Sequence, residues 1–324
     1  MYHTPVLLNE AVEALNVKKN GIYVDATLGG GGHSREILKL LEDGDCNSGA
    51  GHLYAFDQDE DAINYVAKSE LANKKNFTFI DKNFTFLPNY LALYGVAKID
   101  GLLADLGVSS HQFDTAERGF SIRENALLDM RMDRRQTLTA SDIVNNYQEA
   151  RLADVFYLYG ELPQARKIAS LIVNARSGNY DNGSSSDGSS SSNGTIRDTK
   201  TLIEILQNIA PKGKENKFFA QVFQALRIEV NGELDALKKL LAEATKALAP
   251  EGRLVVLSYH SLEDRIVKHW LKTGNAEGKL EKDFYGNPLS PLKPLHSKAI
   301  IPSEEEIQRN PRARSAKMRV AQKI

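Results

Sequence analysis

Four consecutive glycines, Gly29-Gly30-Gly31-Gly32, constrain this chain more than any other feature. They follow a short apolar run, Gly21-Ile22-Tyr23-Val24-Asp25-Ala26-Thr27. They precede a helical pattern with apolar Ile37, Leu38, Leu40 and Leu41. Glycine lets the backbone turn tightly and approach a ligand that a Cβ would push away. A strand, a glycine run and a helix in that order define a strand-to-helix switch of an α/β sheet. More short apolar runs follow at His52–Asp57, Phe77–Ile80 and Asp100–Leu106, and a helical pattern with Ala62, Ile63, Val66 and Ala67 separates the first two. Unbroken apolar strands alternating with helices predict βαβ units and a parallel sheet covered on both faces. The expected fold class is therefore α/β, doubly wound.

From about Asp114 to Gly213 the strand signals stop and charged, helix-prone text takes over, as in Ala150–Phe156 and Ala165–Ile172. This predicts an all-helical domain inserted at 114–213 into an α/β domain made of 1–113 and 214–324. Within the insert, residues 182–194 are serine, glycine, asparagine and aspartate with no apolar side chain, the composition of a disordered loop. Leu226, Val230, Leu234, Leu237, Leu241 and Ala244 mark one face of a long helix. Pro250 and Gly252 end it, and Arg253–Ser258 reads as a fifth strand. Lys298–Ile301 and Lys317–Ala321 are two more strand candidates. Parallel strands closed by a terminal strand pair fit the methyltransferase variant of the doubly wound sheet.

Composition limits the partners. The formal net charge is −1, so any nucleic-acid surface has to be local. From Lys293 to Ile324 there are eight Lys/Arg against three Glu, a basic segment of the kind that holds an RNA backbone. One cysteine, Cys46, excludes an internal disulfide and multi-cysteine zinc sites. The seven histidines show no metal-ligand spacing, so no metal is expected. The N-terminus lacks the basic and long apolar regions of a signal peptide, and no run reaches membrane-span length, so a cytoplasmic protein is expected.

The chemistry gathers at strand ends. Asp57 ends the second strand, where a carboxylate can accept two hydrogen bonds from a ribose diol. A nicotinamide dinucleotide and S-adenosylmethionine both satisfy a glycine run plus that acid. The loop Asp105-Leu106-Gly107-Val108-Ser109-Ser110-His111-Gln112 after the fourth strand favours the second. It sets an acid, carbonyls, two hydroxyls and an amide at the edge where such sheets bind ligands. The exocyclic amine of a base has its lone pair delocalised into the ring. An acceptor on its N–H draws the nitrogen toward tetrahedral geometry and aims the lone pair at an already activated methyl group. Asp105, Ser109 and Ser110 are the candidate catalytic residues, with helix capping as the alternative role of the serines. Methylation at cytosine C5 requires a cysteine nucleophile, and Cys46 sits in a polar stretch away from the strand ends. Tyr259–Arg265 follows the fifth strand at the same edge, as a substrate-shaping loop or a helix start with Ser261 as N-cap and Asp264 at the capping-box position. Leu128–Arg135 reads either as a solvated charged face or as a lid or RNA-contacting segment.

Longer motifs run across nearly the whole chain: His3–Leu8, Asp25–Ser34, Asp105–Ser110, Glu117–Ser121, Leu128–Asp133, Phe223–Asn231, His260–Arg265 and Asn310–Ala316. Together they resemble the bacterial ribosomal RNA cytosine-N4 methyltransferases of the MraW type. The resemblance implies a class I S-adenosylmethionine-dependent fold and methyl transfer to N4 of a cytidine in the decoding region of 16S ribosomal RNA, as free RNA or in the small subunit. It implies cofactor contacts from Gly31, Gly32, His33, Asp57, Phe84, Asp105 and Gln112, with Phe84 against the adenine or in ordinary core packing. An NAD-linked oxidoreductase and a non-catalytic RNA-binding assembly factor are the competing expectations.

Overall fold

A computed structural model describes residues 5–41, 50–178, 194–286 and 289–324. Cys46 and nearly all of the Ser/Gly stretch at 182–194 lie outside the described residues. The chain divides into two compact units, Met1–Ser109 with Leu234–Ile324, and Ser110–Glu233.

The first unit is built on a seven-stranded sheet with the order β3-β2-β1-β4-β5-β7-β6. Its strands are β1 (Ile22–Asp25), β2 (His52–Asp57), β3 (Phe77–Asp81), β4 (Ile99–Asp105), β5 (Leu248–Ser258), β6 (Leu292–Pro294) and β7 (Lys317–Lys323). Strands β1 to β5 pair in parallel, and β7 runs antiparallel to both β5 and β6. The β7 strand slotted between β5 and β6 gives the class I methyltransferase sheet, distinct from the 3-2-1-4-5-6 order of the dinucleotide fold.

Alternate residues of the inner strands feed opposite faces. Tyr23, Leu53, Leu103 and Val255 join one buried apolar layer. Their neighbours Val24, Tyr54, Leu102 and Leu254 join the other. Burial on both faces is why these strands read as unbroken apolar runs rather than as alternating ones. Helices α1 (Leu8–Leu15) and α2 (Gly32–Leu40) bury Ala11, Leu15, Ile37 and Leu38 in the first layer. Helix α11 (Glu233–Ala247) buries Leu237, Leu241 and Ala244 in the second.

Two expectations are corrected here. Residues Lys298–Ile301 form no strand; Ile300 makes only an isolated bridge to Met318, and Leu292–Pro294 is the edge strand instead. Pro302 lies just beyond and lacks the N–H that a ladder would need. The apolar stripe from Leu226 to Ala244 is two helices, because Gly232 at φ 59° closes the first in the left-handed conformation that glycine adopts without penalty.

Among its described residues the second unit is helical, with α5 (Ser110–Asp114), α6 (Ala140–Asn146), α7 (Glu149–Leu158), α8 (Ala165–Arg176), α9 (Thr199–Leu206) and α10 (Glu215–Asn231). Helix α10 belongs to this unit, although the sequence pattern puts residue 214 onward in the α/β domain. Segment Leu128–Arg135 is packed over its first residues and exposed at Arg134 and Arg135. Leu128 and Met130 are buried. The buried Arg118 donates to the carbonyls of Arg131 and Met132 at 2.9 and 3.2 Å. Asn231 bonds the Met132 N–H and the Met130 carbonyl, both at 2.8 Å. Among the described residues no helix is long and apolar enough to cross a membrane.

Candidate active site

The parallel register brings Asp25, Asp57 and Asp105 to the C-terminal ends of the adjacent strands β1, β2 and β4. Each acid is held by its own loop. Asp57 accepts from the Gly29 N–H at 2.8 Å and from the Asp59 N–H at 2.9 Å, which ties the glycine loop to the end of β2. Gly29 and Gly31 have φ of 51° and 71°, so a side chain there would be strained. Gly32 is glycine for another reason: a Cβ would collide with the Pro5 ring. Arg35, on the first turns of α2, donates to the Gly30 carbonyl at 2.8 Å and closes the loop from outside.

Asp25 lies deeper. It accepts from the Ser34 hydroxyl at 2.7 Å and the Thr27 N–H at 3.1 Å. The Thr27 hydroxyl accepts the Asp105 N–H at 2.6 Å, fixing where β4 ends relative to the glycine loop. Asp105 in turn accepts from the Tyr259 hydroxyl at 2.7 Å through Oδ1. Its Oδ2 lies 4.0 Å from His33 Nδ1. Buried His33 meets the Val6 carbonyl through Nε2 at 3.2 Å. A neutral His33 bonded this way carries its proton on Nε2 and turns an unprotonated Nδ1 toward Asp105.

Burial dominates the electrostatics. It pushes Asp105 up to about 7, against the Tyr259 hydrogen bond, which lowers it. It pushes Asp57 up to about 6, against the N–H groups of Asp59 and Gly29. Burial also raises Asp25 and lowers His33. For Tyr259, burial and then the adjacent Asp105 charge hold the phenol well above its ordinary value, so it stays a donor. The site therefore disfavours further negative charge and would be relieved by a cationic ligand.

The other expected residues lie on several elements. Gly31, Gly32 and His33 lead into α2. Phe84 sits on a short turn after β3, packed against the second apolar layer. Ser109 ends the first unit's opening segment, while Ser110 and the buried Gln112 lie on α5 of the second unit. Asp25, Thr27 and Ser34 join the cluster without having been singled out; a strand-terminal acid just before the glycine run was the available signal. The capping expectation for Ser261 shifts by one residue. The N-cap of α12 (Ser261–Thr273) is His260, with Glu263 at the third helical position. Glu263 Oε2 accepts from the Tyr259 N–H at 2.9 Å, which fixes the backbone that carries the Tyr259 phenol to Asp105.

The family profile described as the MraW methylase family matches residues 1–324. The chain belongs to that family. It is 52% identical over 326 residues to the "Ribosomal RNA small subunit methyltransferase H" of Phocaeicola vulgatus, covering 100% of this chain and 98% of that protein. The like-named protein of Cytophaga hutchinsonii is 52% identical over 323 residues, covering 100% of both chains. The chain is thus a methyltransferase, and its cofactor is S-adenosylmethionine. That cofactor fits the cluster in charge: a sulfonium and an ammonium would meet the buried Asp25 and the half-buried Asp57 and Asp105, the last two pushed up to about 6 and about 7. A Cβ on Gly29 would meet nothing nearer than the Thr27 carbonyl oxygen at 4.0 Å, so the loop leaves open space beside Asp57.

Proposed function

We propose that the chain methylates N4 of a cytidine in small-subunit (16S) ribosomal RNA, in the decoding region, with Asp105 acting on the amine. The names of its relatives supply the RNA class, and the motif resemblance supplies the atom. The observation that carries the chemistry is the Tyr259–Asp105–His33 arrangement, with Asp105 pushed up to about 7.

When bound, S-adenosylmethionine supplies an activated methyl group, so the protein's task is orientation and proton handling. Asp57 and the backbone of Gly31 and Gly32 bind the nucleoside half, with Phe84 along the adenine and Gln112 as a further contact. Tyr259 occupies Oδ1 of Asp105 and leaves Oδ2 to accept an N–H of the cytidine amine. That hydrogen bond localises the nitrogen lone pair. The nitrogen must shed one proton as it gains a methyl group, and a carboxylate with a pKa near 7 is a base of matched strength. Ser109, Ser110 and the Ser109 carbonyl are the remaining candidate acceptors.

The domains follow the same reading, with an α/β catalytic part and a helical insert whose bounds are those of the two compact units, Met1–Ser109 with Leu234–Ile324 and Ser110–Glu233. An NAD-linked oxidoreductase is disfavoured on charge. A pyrophosphate would face the three carboxylates, and the Gly29 N–H it would seek is held by Asp57. Calorimetry with S-adenosylhomocysteine and NADH tests this. Micromolar binding of NADH and none of the homocysteine compound would overturn the proposal.

A further inference from the structure

Ser303 and Glu306 have the spacing of a capping box at the start of α13 (Glu304–Arg309), in which the glutamate normally reaches back to the N–H of its own cap. Only the first half of that box is made: Ser303 accepts the Glu306 N–H at 3.2 Å. The Glu306 carboxylate turns away and accepts the Leu7 N–H at 2.7 Å, across 299 positions of sequence. Leu7 is a costly residue to hold there. It is buried, with φ 51° and ψ 39°, the left-handed region that a branched side chain enters only under constraint. Such a conformation persists where its surroundings over-determine it, and the Glu306 bond is one of those constraints.

The Leu7 N–H and the Val6 carbonyl belong to one planar peptide unit and point to opposite sides of it. Glu306 holds the N–H, and His33 Nε2 meets the carbonyl at 3.2 Å. Fixing one side of the plane therefore fixes the other. The tautomer of His33 matters because its Nδ1 lies 4.0 Å from Oδ2 of Asp105. A proton on Nδ1 would be donated to that oxygen and would occupy the acceptor that the incoming amine needs. A proton on Nε2, satisfied by Val6, leaves the oxygen open. Glu306 is also one of the charges that keep the Tyr259 phenol a donor, after burial, Asp105 and Glu263.

We propose that Glu306 is a positioning residue for the methyl-transfer site: through the Val6–Leu7 peptide it keeps the His33 proton on Nε2 and Oδ2 of Asp105 free; this rests on the functional reading above. Glu306 itself touches neither the acid cluster's oxygens nor the glycine loop by any bond described above, so its effect runs through the peptide.

The test separates reach from charge. Glu306→Asp keeps the charge and withdraws the carboxylate by one methylene, whereas Glu306→Gln keeps the reach and an acceptor oxygen without the charge. Nitrogen NMR of the imidazole, with His33 assigned through His33→Asn, reports which ring nitrogen carries the proton. Losing the hold on a neutral hydrogen bond should move the His33 tautomer ratio in Glu306→Asp about two- to tenfold toward Nδ1–H, with Glu306→Gln like the wild type. Methyl incorporation into unmodified small-subunit ribosomal RNA across pH supplies the second readout. Asp105 is faced by Asp25, His33, Tyr259 and Glu263, none of which these two variants replace. Donation from Nδ1–H favours the ionised carboxylate, so the kcat/KM rise in Glu306→Asp should move to lower pH while its plateau falls. A merely structural glutamate would lower the plateau and leave tautomer and midpoint alone. An unmoved tautomer in Glu306→Asp, or an equal move in Glu306→Gln, overturns the proposal whatever the activity does. A moved tautomer with a fixed midpoint upholds the positioning and counts against Asp105 as the base, so the two readings fail separately.

Discussion

Replacing Tyr259 with phenylalanine removes one oxygen and leaves the ring in place. That oxygen donates the 2.7 Å hydrogen bond to Oδ1 of Asp105. A hydrogen bond to an ionised group contributes about 1.5–3 kcal/mol, and about 1.4 kcal/mol corresponds to one pKa unit. Its loss should therefore raise Asp105 by about 1–2 units from its starting point of about 7. At pH 7 the carboxylate fraction then falls from about half to about 1–10%. The wild-type profile of kcat/KM should rise through an apparent pKa near 7, because the active form is the carboxylate. In Tyr259→Phe the same rise should move to higher pH, with activity largely recovered near pH 9–10 by the ~1–2 unit shift. The assay is methyl incorporation from labelled cofactor across pH, with protein folding checked by circular dichroism. A merely structural tyrosine would lower the plateau without moving the midpoint. A variant profile that superimposes on the wild type would refute both the hydrogen bond's role and Asp105 as the titrating group.

Asp57→Ala should weaken S-adenosylhomocysteine binding by about 1.5–3 kcal/mol in calorimetry, and an unchanged dissociation constant in the folded variant removes Asp57 from the site. Asp105→Asn should cost about two orders of magnitude in kcat, near 2.7 kcal/mol, with KM for the cofactor little changed; a raised KM with surviving kcat would assign Asp105 to cofactor binding alone. The same variant has a stability signature. Asp105 ionises near 4 when unfolded and near 7 when folded, so between those values the unfolded chain binds fewer protons and wild-type stability loses ground as pH rises. Urea unfolding should show Asp105→Asn gaining on the wild type from pH 4 to pH 7, and a pH-independent difference would contradict the raised pKa.

Much of this was legible before any coordinates. Strands buried on both faces leave unbroken apolar runs, so β1 to β5 announced themselves, and with them the strand ends that carry Asp57 and Asp105. The glycine run exposed the loop because positive φ at Gly29 and Gly31 demands that residue. What escaped depended on partners distant in sequence. Edge strand β6 is three residues long and is defined by its pairing with β7, which no local pattern reports. The stripe from Leu226 to Ala244 kept helical spacing across Gly232, so periodicity alone could not show the break. The capping box sits at His260, one residue before Ser261, because histidine here accepts through its ring nitrogen where serine is the commoner cap. The Tyr259–Asp105 bond spans 154 positions and exists only because β4 and β5 are neighbours.

The central claim is transfer of a methyl group to the N4 amine of a cytidine. The most direct measurement incubates the purified chain with labelled S-adenosylmethionine and small ribosomal subunits or their RNA lacking the modification. The RNA is then digested to nucleosides and the label identified by mass spectrometry. The account predicts label in N4-methylcytidine, abolished or cut about a hundredfold in Asp105→Asn. Label in 5-methylcytidine, or ribosome binding with no label transferred at all, would contradict it.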